Sequence, residues 1–238
     1  MTLRKWGNGQ SEFEEWRDTK HSNLVGKMWR HSHDAFFQEL SVLPKSAGFC
    51  LSVGCGSGGY LLEIIREEKY EGIGLDPSLS SLLTSRDRKK NEPKISKRVE
   101  LVRGVAEYLP FKAEFVQLCI MASVLDHVFD PNQAFYEVQR VLMPNGSFLL
   151  SQIVKQKKKG LYLGHHMNEF TVSDLKKLFN RFRVNKVRRI AFPIPLKLQI
   201  LDVLLDSKLY QALSNFPGIA GRYFNYSTAI IVTQKQEE

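Results

Sequence analysis

Short apolar runs alternate with amphipathic stretches along most of this 238-residue chain, and this alternation limits the fold more than any other feature. The apolar runs have the length of buried strands, whereas the stretches between them repeat apolar residues at helical spacing. Such alternation is typical of β-α units that build a sheet covered by helices. We therefore predict one doubly wound α/β domain of about seven strands. The strands are expected at Phe49–Val53, Glu71–Leu75, Val99–Arg103, Phe115–Met121, Ser147–Val154, Arg183–Ile190 and Thr228–Thr233.

Local signals mark where the later elements begin and end. Thr171 is expected to begin a helix, with Asp174 three residues on as a capping-box-like partner. The Pro-Asn-Gly sequence within Met143–Gly146 predicts a turn before the fifth strand. The core face of the helix after Thr171 is expected to comprise Leu175, Leu178, Phe179 and Phe182.

A glycine-rich turn, Gly54-Cys55-Gly56-Ser57-Gly58-Gly59, follows the first predicted strand and opens a helix. Glycine lets the backbone bend tightly and approach a ligand closely, and a helix N-terminus attracts an anionic group. Asp76 ends the next strand, about 20 residues further on, where a carboxylate can accept hydrogen bonds from a ribose diol. The same spacing satisfies the dinucleotide fingerprint, so the turn alone fits either S-adenosylmethionine or a nicotinamide dinucleotide.

Five segments, in this order and spacing, resemble the motifs of the class I S-adenosylmethionine-dependent methyltransferases, in particular the broad small-molecule-type group. The resemblance runs from about Phe49 to Phe182, which is more than half of the chain. The resemblance implies a Rossmann-like doubly wound sheet of about seven mostly parallel strands, with an antiparallel last strand. The segments are Leu51–Gly58, Gly72–Ser78, Gly104–Phe111, Ser123–Val128 and Arg140–Gly146.

The resemblance also implies a cofactor and the residues that bind it. The cofactor is S-adenosylmethionine, and the implied binding residues are Gly54, Cys55, Gly56, Gly58, Asp76, Pro77, Val105, Ala106, Glu107, Ala122 and His127. Three positions where the family usually or often has an acid are neutral here, at Ser52, Val105 and Gln117. We expect either local compensation for these losses or a weakened site in a non-catalytic S-adenosylmethionine-binding relative.

The dehydrogenase alternative lacks catalytic support. The only Tyr-x-x-x-Lys arrangement runs from Tyr108 to Lys112, and Pro110 lies inside it. Proline breaks a regular helix, so the two side chains cannot share one helix face.

Methyl transfer from a sulfonium requires alignment of the acceptor, exclusion of water and sometimes a base, but no covalent protein nucleophile. His127 follows the fourth strand and is a candidate base or a support for the cofactor loop. His166, or its neighbour His165, is a candidate for the acceptor pocket, although a solvated loop pair is the favoured explanation. His31 and His33 lack partner ligands in the sequence, so we expect no metal.

We expect a single domain over residues 1–238. It comprises an N-terminal cap at 1–46, a cofactor-binding half at 47–152 and an acceptor-side half at 153–238 with an amphipathic insert at 196–216. The formal net charge of +9 favours anionic partners. The predicted acceptor is a small molecule or a sugar- or lipid-linked precursor, with RNA as the alternative.

The cysteines predict the compartment, and the lengths of the apolar runs bear on membrane insertion. Cys50, Cys55 and Cys119 are scattered, which favours a reducing, cytoplasmic compartment. No apolar run reaches 18 residues, so we expect no stable membrane insertion. The oligomeric state is left open.

Overall fold

A central sheet of seven strands organises the chain in the computed structural model, which describes residues 23–43, 47–67, 70–155, 167–191 and 226–235. The strands are β1 (Gly48–Val53), β2 (Tyr70–Asp76), β3 (Val99–Arg103), β4 (Val116–Ala122), β5 (Leu142–Lys155), β6 (Phe182–Ala191) and β7 (Tyr226–Lys235). The helices are α1 (Asn23–Ser41), α2 (Gly59–Glu67), α3 (Leu79–Lys90), α4 (Pro93–Ser96), α5 (Pro131–Val141) and α6 (Val172–Leu178). A short 3-10 turn, Phe179–Arg181, joins α6 to β6.

The strand order is β3-β2-β1-β4-β5-β7-β6. β1 pairs in parallel with β2 on one side and with β4 on the other, so the direction of winding reverses beside β1. β7 enters between β5 and β6 and pairs antiparallel with both. Among the described strands β7 alone opposes its neighbours, which confirms the predicted Rossmann-like sheet with an antiparallel last strand.

Both faces of the sheet are buried, because successive side chains point into two separate hydrophobic cores. On β1, Cys50 faces one core, whereas Leu51 and Val53 face the other. α1 covers the first face through Phe36, and α5 covers the second through Phe135. This double coverage explains why the strands read as short continuous apolar runs in the sequence.

Helix α1, which lies in the predicted cap, is fastened to the far end of the sheet by polar contacts. Glu39 is only 2% exposed, and its carboxylate lies 2.8 Å from Lys186 Nζ and 3.2 Å from the Arg188 guanidinium, both on β6. The Ser32 and Thr228 hydroxyl groups form a buried hydrogen bond of 2.9 Å between α1 and β7. The described part of the cap is therefore a layer of the fold.

Side-chain caps fix the starts of three helices. The Ser78 hydroxyl accepts from Ser81 N at the start of α3, and the Asp130 carboxylate accepts from two backbone amides at the start of α5. Thr171 and Asp174 form a reciprocal capping box at the start of α6, which confirms that sequence prediction.

The segment Met143–Gly146 differs from its prediction as a turn before the fifth strand. It lies inside β5, where Val116 pairs with Leu142 and Leu118 pairs with Ser147. A step of two residues along β4 (116 to 118) thus faces a step of five along β5 (142 to 147). Asn145 has a φ of 61°. The Asn-Gly signal therefore produces an irregularity within the strand.

Several predictions fall outside the described residues. They concern His166, the amphipathic insert at 196–216 and residues 1–22 of the cap. The extent of the domain, 1–238, stays a prediction.

Candidate functional site

The carboxyl ends of β1, β2, β3 and β4 carry the segments that the sequence analysis singled out. In an open parallel sheet, ligands bind outside the carboxyl ends of the strands, at the point where the strand order reverses. That point lies beside β1, whose partners are β2 and β4. The candidate site is therefore centred on the glycine turn after β1.

Three glycines of this turn have positive φ angles, 65° at Gly54, 52° at Gly56 and 81° at Gly58. A Cβ atom on Gly54 would lie 2.5 Å from Val124 Cγ2, and one on Gly58 would collide with Ser85 Oγ. A Cβ atom on Gly56 would meet nothing within 4 Å. Two glycines thus permit close packing beneath the turn, and Gly56 alone borders open space.

Asp76 ties the end of β2 to this turn. Its Oδ2 accepts from Gly56 N at 2.8 Å, and its Oδ1 accepts from Ser78 N at 2.9 Å. The residue is buried, and its own carbonyl accepts from Gly104 N at 3.3 Å. The structure therefore brings Gly56 and Asp76 together, as predicted.

Cys55 belongs to the turn through its backbone, because its thiol points into the protein. A Cβ atom on Gly74 would lie 2.9 Å from Cys55 Sγ, so the thiol packs directly on β2. Burial and the nearby Asp76 carboxylate raise the pKa of the Cys55 thiol well above its usual range. Any role for Cys55 in binding a ligand therefore falls to its main chain.

The segment after β3 lies beside the turn and is fastened to α5. Val105 is half-buried, and its carbonyl accepts from Tyr108 N at 3.3 Å. The Glu107 carboxylate accepts from Phe129 N at 2.6 Å and from Asp130 N at 3.3 Å. The side chain of Glu107 therefore joins the segment after β3 to the loop after β4, which leaves its backbone as the candidate for ligand contact.

A partly buried ion pair holds the next residues of this segment. Glu137 and Arg140 on α5 lie 2.7 Å apart, and Glu137 Oε2 also accepts from Leu109 N at 2.8 Å. The Arg140 guanidinium donates to the carbonyls of Leu109 and Phe111. The hydrogen bond from Arg140 lowers the pKa of Glu137, and Glu137 in turn raises the pKa of Arg140.

The loop after β4 closes the other side of the site. Ser123 has a φ of 55°, a conformation that is uncommon outside glycine, and Val124 packs against Gly54. His127 is 18% exposed, and its Nε2 lies 3.9 Å from Asp126 Oδ1. The Asp126 carbonyl accepts from Met167 N at 2.8 Å, so the chain beyond β5 returns to this loop.

The remaining predicted binding residues lie at the same edge. Pro77 follows Asp76, and its carbonyl accepts from Arg103 Nε at 3.1 Å. Ala106 is buried, and Ala122 ends β4 directly below the loop. The roles of all these residues in ligand binding stay predictions.

Four residues that shape the site were not among the predicted binding residues: Ser123, Glu137, Arg140 and Gln152. The side chain of Gln152 accepts a hydrogen bond from the loop after β4. Its only signal in the sequence is that it is polar and lies, with Ser151, between the apolar pairs Leu149-Leu150 and Ile153-Val154. Glu137 and Arg140 lie at a helical spacing of three, which is also common for solvated pairs.

No metal-binding group is found within the part of the chain that the structure describes. His33, which the sequence raised as a ligand, has its Nε2 3.1 Å from Glu63 and packs against Phe37 and Tyr60. In the same described ranges, none of the helices combines the length and the apolar character needed to cross a bilayer.

Comparison with known families identifies the fold and the segment that carries it. Residues 51–150 match the family model described as "Methyltransferase domain". This range contains the glycine turn, Asp76, the segment after β3 and the loop after β4.

Relatives and solved structures extend this similarity. The demethylmenaquinone methyltransferase of Lactobacillus johnsonii is 30% identical over 120 residues, which are 50% of this chain and 47% of the relative. The chain thus spans about half the length of this curated relative. The geranyl diphosphate C-methyltransferase of Streptomyces coelicolor, solved with Mg²⁺, geranyl diphosphate and S-adenosyl-L-homocysteine, superposes with a TM-score of 0.68. That match has 17% identity and covers 92% of this chain and 86% of that one.

A further structure with the same fold is the [4+2]-cyclase SpnF. It superposes with a TM-score of 0.66 at 18% identity and covers 88% of this chain and 82% of that one. Similarity at this level of identity concerns the fold, and the cyclase in this set illustrates that one fold carries more than one reaction.

Proposed function

We propose that the chain is a class I S-adenosylmethionine-dependent methyltransferase, because residues 51–150 match a methyltransferase domain, and that it transfers a methyl group from S-adenosylmethionine to a small-molecule acceptor. The single observation that carries the proposal is the bond between Gly56 N and Asp76 Oδ2, beside the open space at Gly56. It joins the backbone of the glycine turn and Asp76, the acid predicted to bind the ribose, in one site.

The described residues fit an adenosyl ligand. A Cβ atom on Gly56 would meet nothing within 4 Å, so the turn leaves room on the side where a ligand must approach closely. The buried Asp76 carboxylate lies beside this turn, at the end of β2. The sheet also departs from the dinucleotide-binding order of six parallel strands, because β7 enters antiparallel between β5 and β6. These features favour S-adenosylmethionine over a nicotinamide cofactor.

Asp76, Gly56 and the segment after β3 would each contact a different part of the cofactor. Asp76 would accept hydrogen bonds from the two ribose hydroxyls, and the backbone of Gly56 would lie against the ligand. Val105 has no side-chain acceptor for an adenine amino group, and its carbonyl already accepts from Tyr108 N. The main chain of this segment would therefore supply any adenine contact, in agreement with the neutral residues noted in the sequence.

The bound cofactor would supply an electrophilic methyl group. The protein must hold the acceptor atom in line behind that carbon, exclude water and, for a protonated nucleophile, accept a proton. His127 lies in the loop after β4 with part of its ring accessible, so its imidazole is placed to support this loop or to take up the proton. The second role applies only to an acceptor that loses a proton on methylation.

We propose an acceptor with a substantial apolar part, such as a lipid-linked precursor. Phe129 is 60% exposed and Met167 is 37% exposed, and both lie in segments that meet at the loop after β4. The named acceptors of the relatives above, demethylmenaquinone and geranyl diphosphate, both carry a hydrocarbon chain. A sugar-linked acceptor is the alternative within the same class.

Thermal melting with S-adenosylmethionine, S-adenosylhomocysteine and NAD tests the cofactor. A ligand at about 100 times its Kd stabilises the folded protein by about 2.7 kcal/mol, which corresponds to a rise in Tm of roughly 5–10 °C for this size. We expect this rise with both adenosyl ligands and none with NAD. A rise with NAD alone would overturn the proposal.

Two further outcomes separate the alternatives. Adenosyl binding without formation of S-adenosylhomocysteine, across quinone, prenyl and sugar-linked acceptors, would indicate a binding protein or another reaction on this fold. Methylation of RNA, with binding that weakens steeply as salt rises, would indicate an RNA methyltransferase. The exposed basic residues Arg86, Arg88 and Lys90 on α3 are the described surface to mutate in that case.

We also propose a cytoplasmic location. All three cysteines are free thiols, as expected in a reducing compartment. Cell fractionation with a tagged protein tests this directly.

A further inference from the structure

Gln152 is a fully buried polar residue on β5, just beyond the point where the pairing of β5 with β4 ends. It is the first β5 residue beyond the last pair with β4, Ala122 with Ser151, and on its other side it pairs with Ala229 of β7. Its position therefore lies level with the loop that leaves β4. Its Oε1 accepts from Leu125 N of that loop at 3.1 Å.

The hydrogen bond from Leu125 N to Gln152 Oε1 holds the loop after β4, whose backbone is strained at Ser123. Ser123 adopts a φ of 55°, and its N–H donates to Ser151 O at 2.8 Å. Non-glycine residues occupy this region only when their surroundings fix them there. Leu125 is itself fully buried, so its N–H has no access to bulk water and depends on the acceptor that Gln152 provides.

The loop acts in turn on the candidate site. Val124, between Ser123 and Leu125, packs so closely on Gly54 that even a methyl group there would collide with it. His127 N donates to Val124 O at 2.9 Å, so the position of His127 follows from the same residue. A continuous set of contacts thus runs from the Gln152 side chain to both the glycine turn and His127.

We propose that Gln152 is a positioning residue for the cofactor site, because it holds the loop after β4 in the conformation that sets Val124 on Gly54. This inference rests on the proposed function. Without the acceptor, Leu125 N–H would be buried and unsatisfied, and the loop would relax away from the glycine turn. The cofactor affinity would then fall although Gln152 does not touch the cofactor.

The experiment compares two variants of this residue with a matched control. Gln152→Met removes the acceptor at similar volume, whereas Gln152→Glu keeps an oxygen at the same place. Thr233→Val is the control, because Thr233 is fully buried in neighbouring β7 and its hydroxyl donates to Phe148 O, away from the loop. For each protein we would measure Tm, the Kd for S-adenosylhomocysteine by calorimetry, and hydrogen exchange of residues 123–127 without ligand.

We expect Gln152→Met to weaken S-adenosylhomocysteine binding about tenfold or more, as loss of a buried partner implies. Its loop should exchange faster than in the wild-type protein. Gln152→Glu should bind within about threefold of wild type, and Thr233→Val should lower Tm without changing the Kd. Wild-type affinity and wild-type loop exchange in Gln152→Met would overturn the proposal.

Val124→Ala tests the same contacts if Gln152→Met does not fold. It trims the side chain that rests on Gly54 and leaves the core strand intact, so we expect weaker S-adenosylhomocysteine binding at a nearly unchanged Tm. Unchanged affinity in this variant would also overturn the proposal. Failure of the wild-type protein to bind S-adenosylhomocysteine would instead overturn the proposed function, and loop exchange would still decide whether Gln152 holds the loop.

Discussion

Gly56 N donates a hydrogen bond of 2.8 Å to Asp76 Oδ2, so the buried carboxylate at the end of β2 fixes the backbone of the glycine turn after β1. The two residues lie at the ends of the adjacent strands β1 and β2. Asp76 holds the backbone of the turn, and we propose that it also accepts hydrogen bonds from a ligand. Variants of Asp76 should reveal both.

Asp76→Ala is expected to reduce the affinity for S-adenosylhomocysteine at least about 100-fold. Hydrogen bonds to a charged group contribute about 1.5–3 kcal/mol each, and two ribose hydroxyls would lose their acceptor. Asp87→Ala, on the exposed side of α3, is the matched control and should bind normally. Calorimetry measures both, and normal binding by Asp76→Ala would remove Asp76 from the site.

The glycines of the turn should respond differently to alanine. At Gly54 the new methyl group would collide with Val124, so we expect destabilisation by about 1–3 kcal/mol. At Gly56 only the positive φ opposes alanine, at roughly 1–2 kcal/mol, but the methyl group would enter the open space beside the turn. Gly56→Ala should therefore lose ligand affinity out of proportion to its stability.

Urea unfolding and calorimetry on these two variants test this separation. Gly54→Ala should lose stability and also bind S-adenosylhomocysteine more weakly, because its methyl group displaces Val124 from the turn. Gly56→Ala with unchanged affinity would show that the ligand lies elsewhere.

The Glu137–Arg140 pair should make stability depend on pH. The pKa of Glu137 is lowered in the folded protein, so its contribution is present above the unfolded value of about 4.3 and is lost as the pH falls through the lower folded value. We expect Glu137→Gln to be less stable than wild type by about 1–2 kcal/mol at pH 7, and the difference to shrink towards pH 3.

Urea unfolding at several pH values measures this difference. Glu92→Gln breaks an exposed pair with Arg66 and is the control, with little expected change. A stability difference for Glu137→Gln that does not vary with pH would contradict the assignment.

The contact between α1 and β6 should respond asymmetrically to mutation. Glu39 is buried, whereas Lys186 and Arg188 are about half exposed. Removal of both cations leaves a buried carboxylate without compensation, which we expect to cost about 3–5 kcal/mol. Glu39→Met leaves two cations that water can reach, so the cost should stay within about 1 kcal/mol. Thermal unfolding of Glu39→Met and of the double variant Lys186→Ala/Arg188→Ala would distinguish the two cases, and equal losses would contradict this interpretation.

The strands were predictable because both faces of the sheet are buried, which makes each strand a continuous apolar run. The observed strand Val99–Arg103 has the same bounds as the predicted third strand. For the other strands, most of the observed first and last residues lie within two residues of the predicted ones. The prediction of a turn at Met143–Gly146 was wrong. An Asn-Gly sequence specifies a local bend, but it does not distinguish a turn between elements from an irregularity within a strand. That distinction depends on the pairing partner, which lies far away in sequence.

The site was predictable where backbone conformation demands a residue type. Positive φ angles explain Gly54, Gly56 and Gly58, and the strand end explains Asp76. Side-chain direction was not predictable, since the Glu107 carboxylate points towards the start of α5. Gln152 was missed because its partner, Leu125 N, is brought to it only by the assembled sheet.

The position of β7 also bears on how the chain is synthesised. β6 pairs with β7 and with no other strand among the described residues, although β6 precedes β7 in the chain. On the ribosome, β1 to β5 can assemble as they emerge, while β6 must wait for a strand that is translated later. Until β7 emerges, the outer edge of β5 is an unpaired row of backbone donors and acceptors, which is where a chaperone or an aggregating neighbour would first engage the nascent chain.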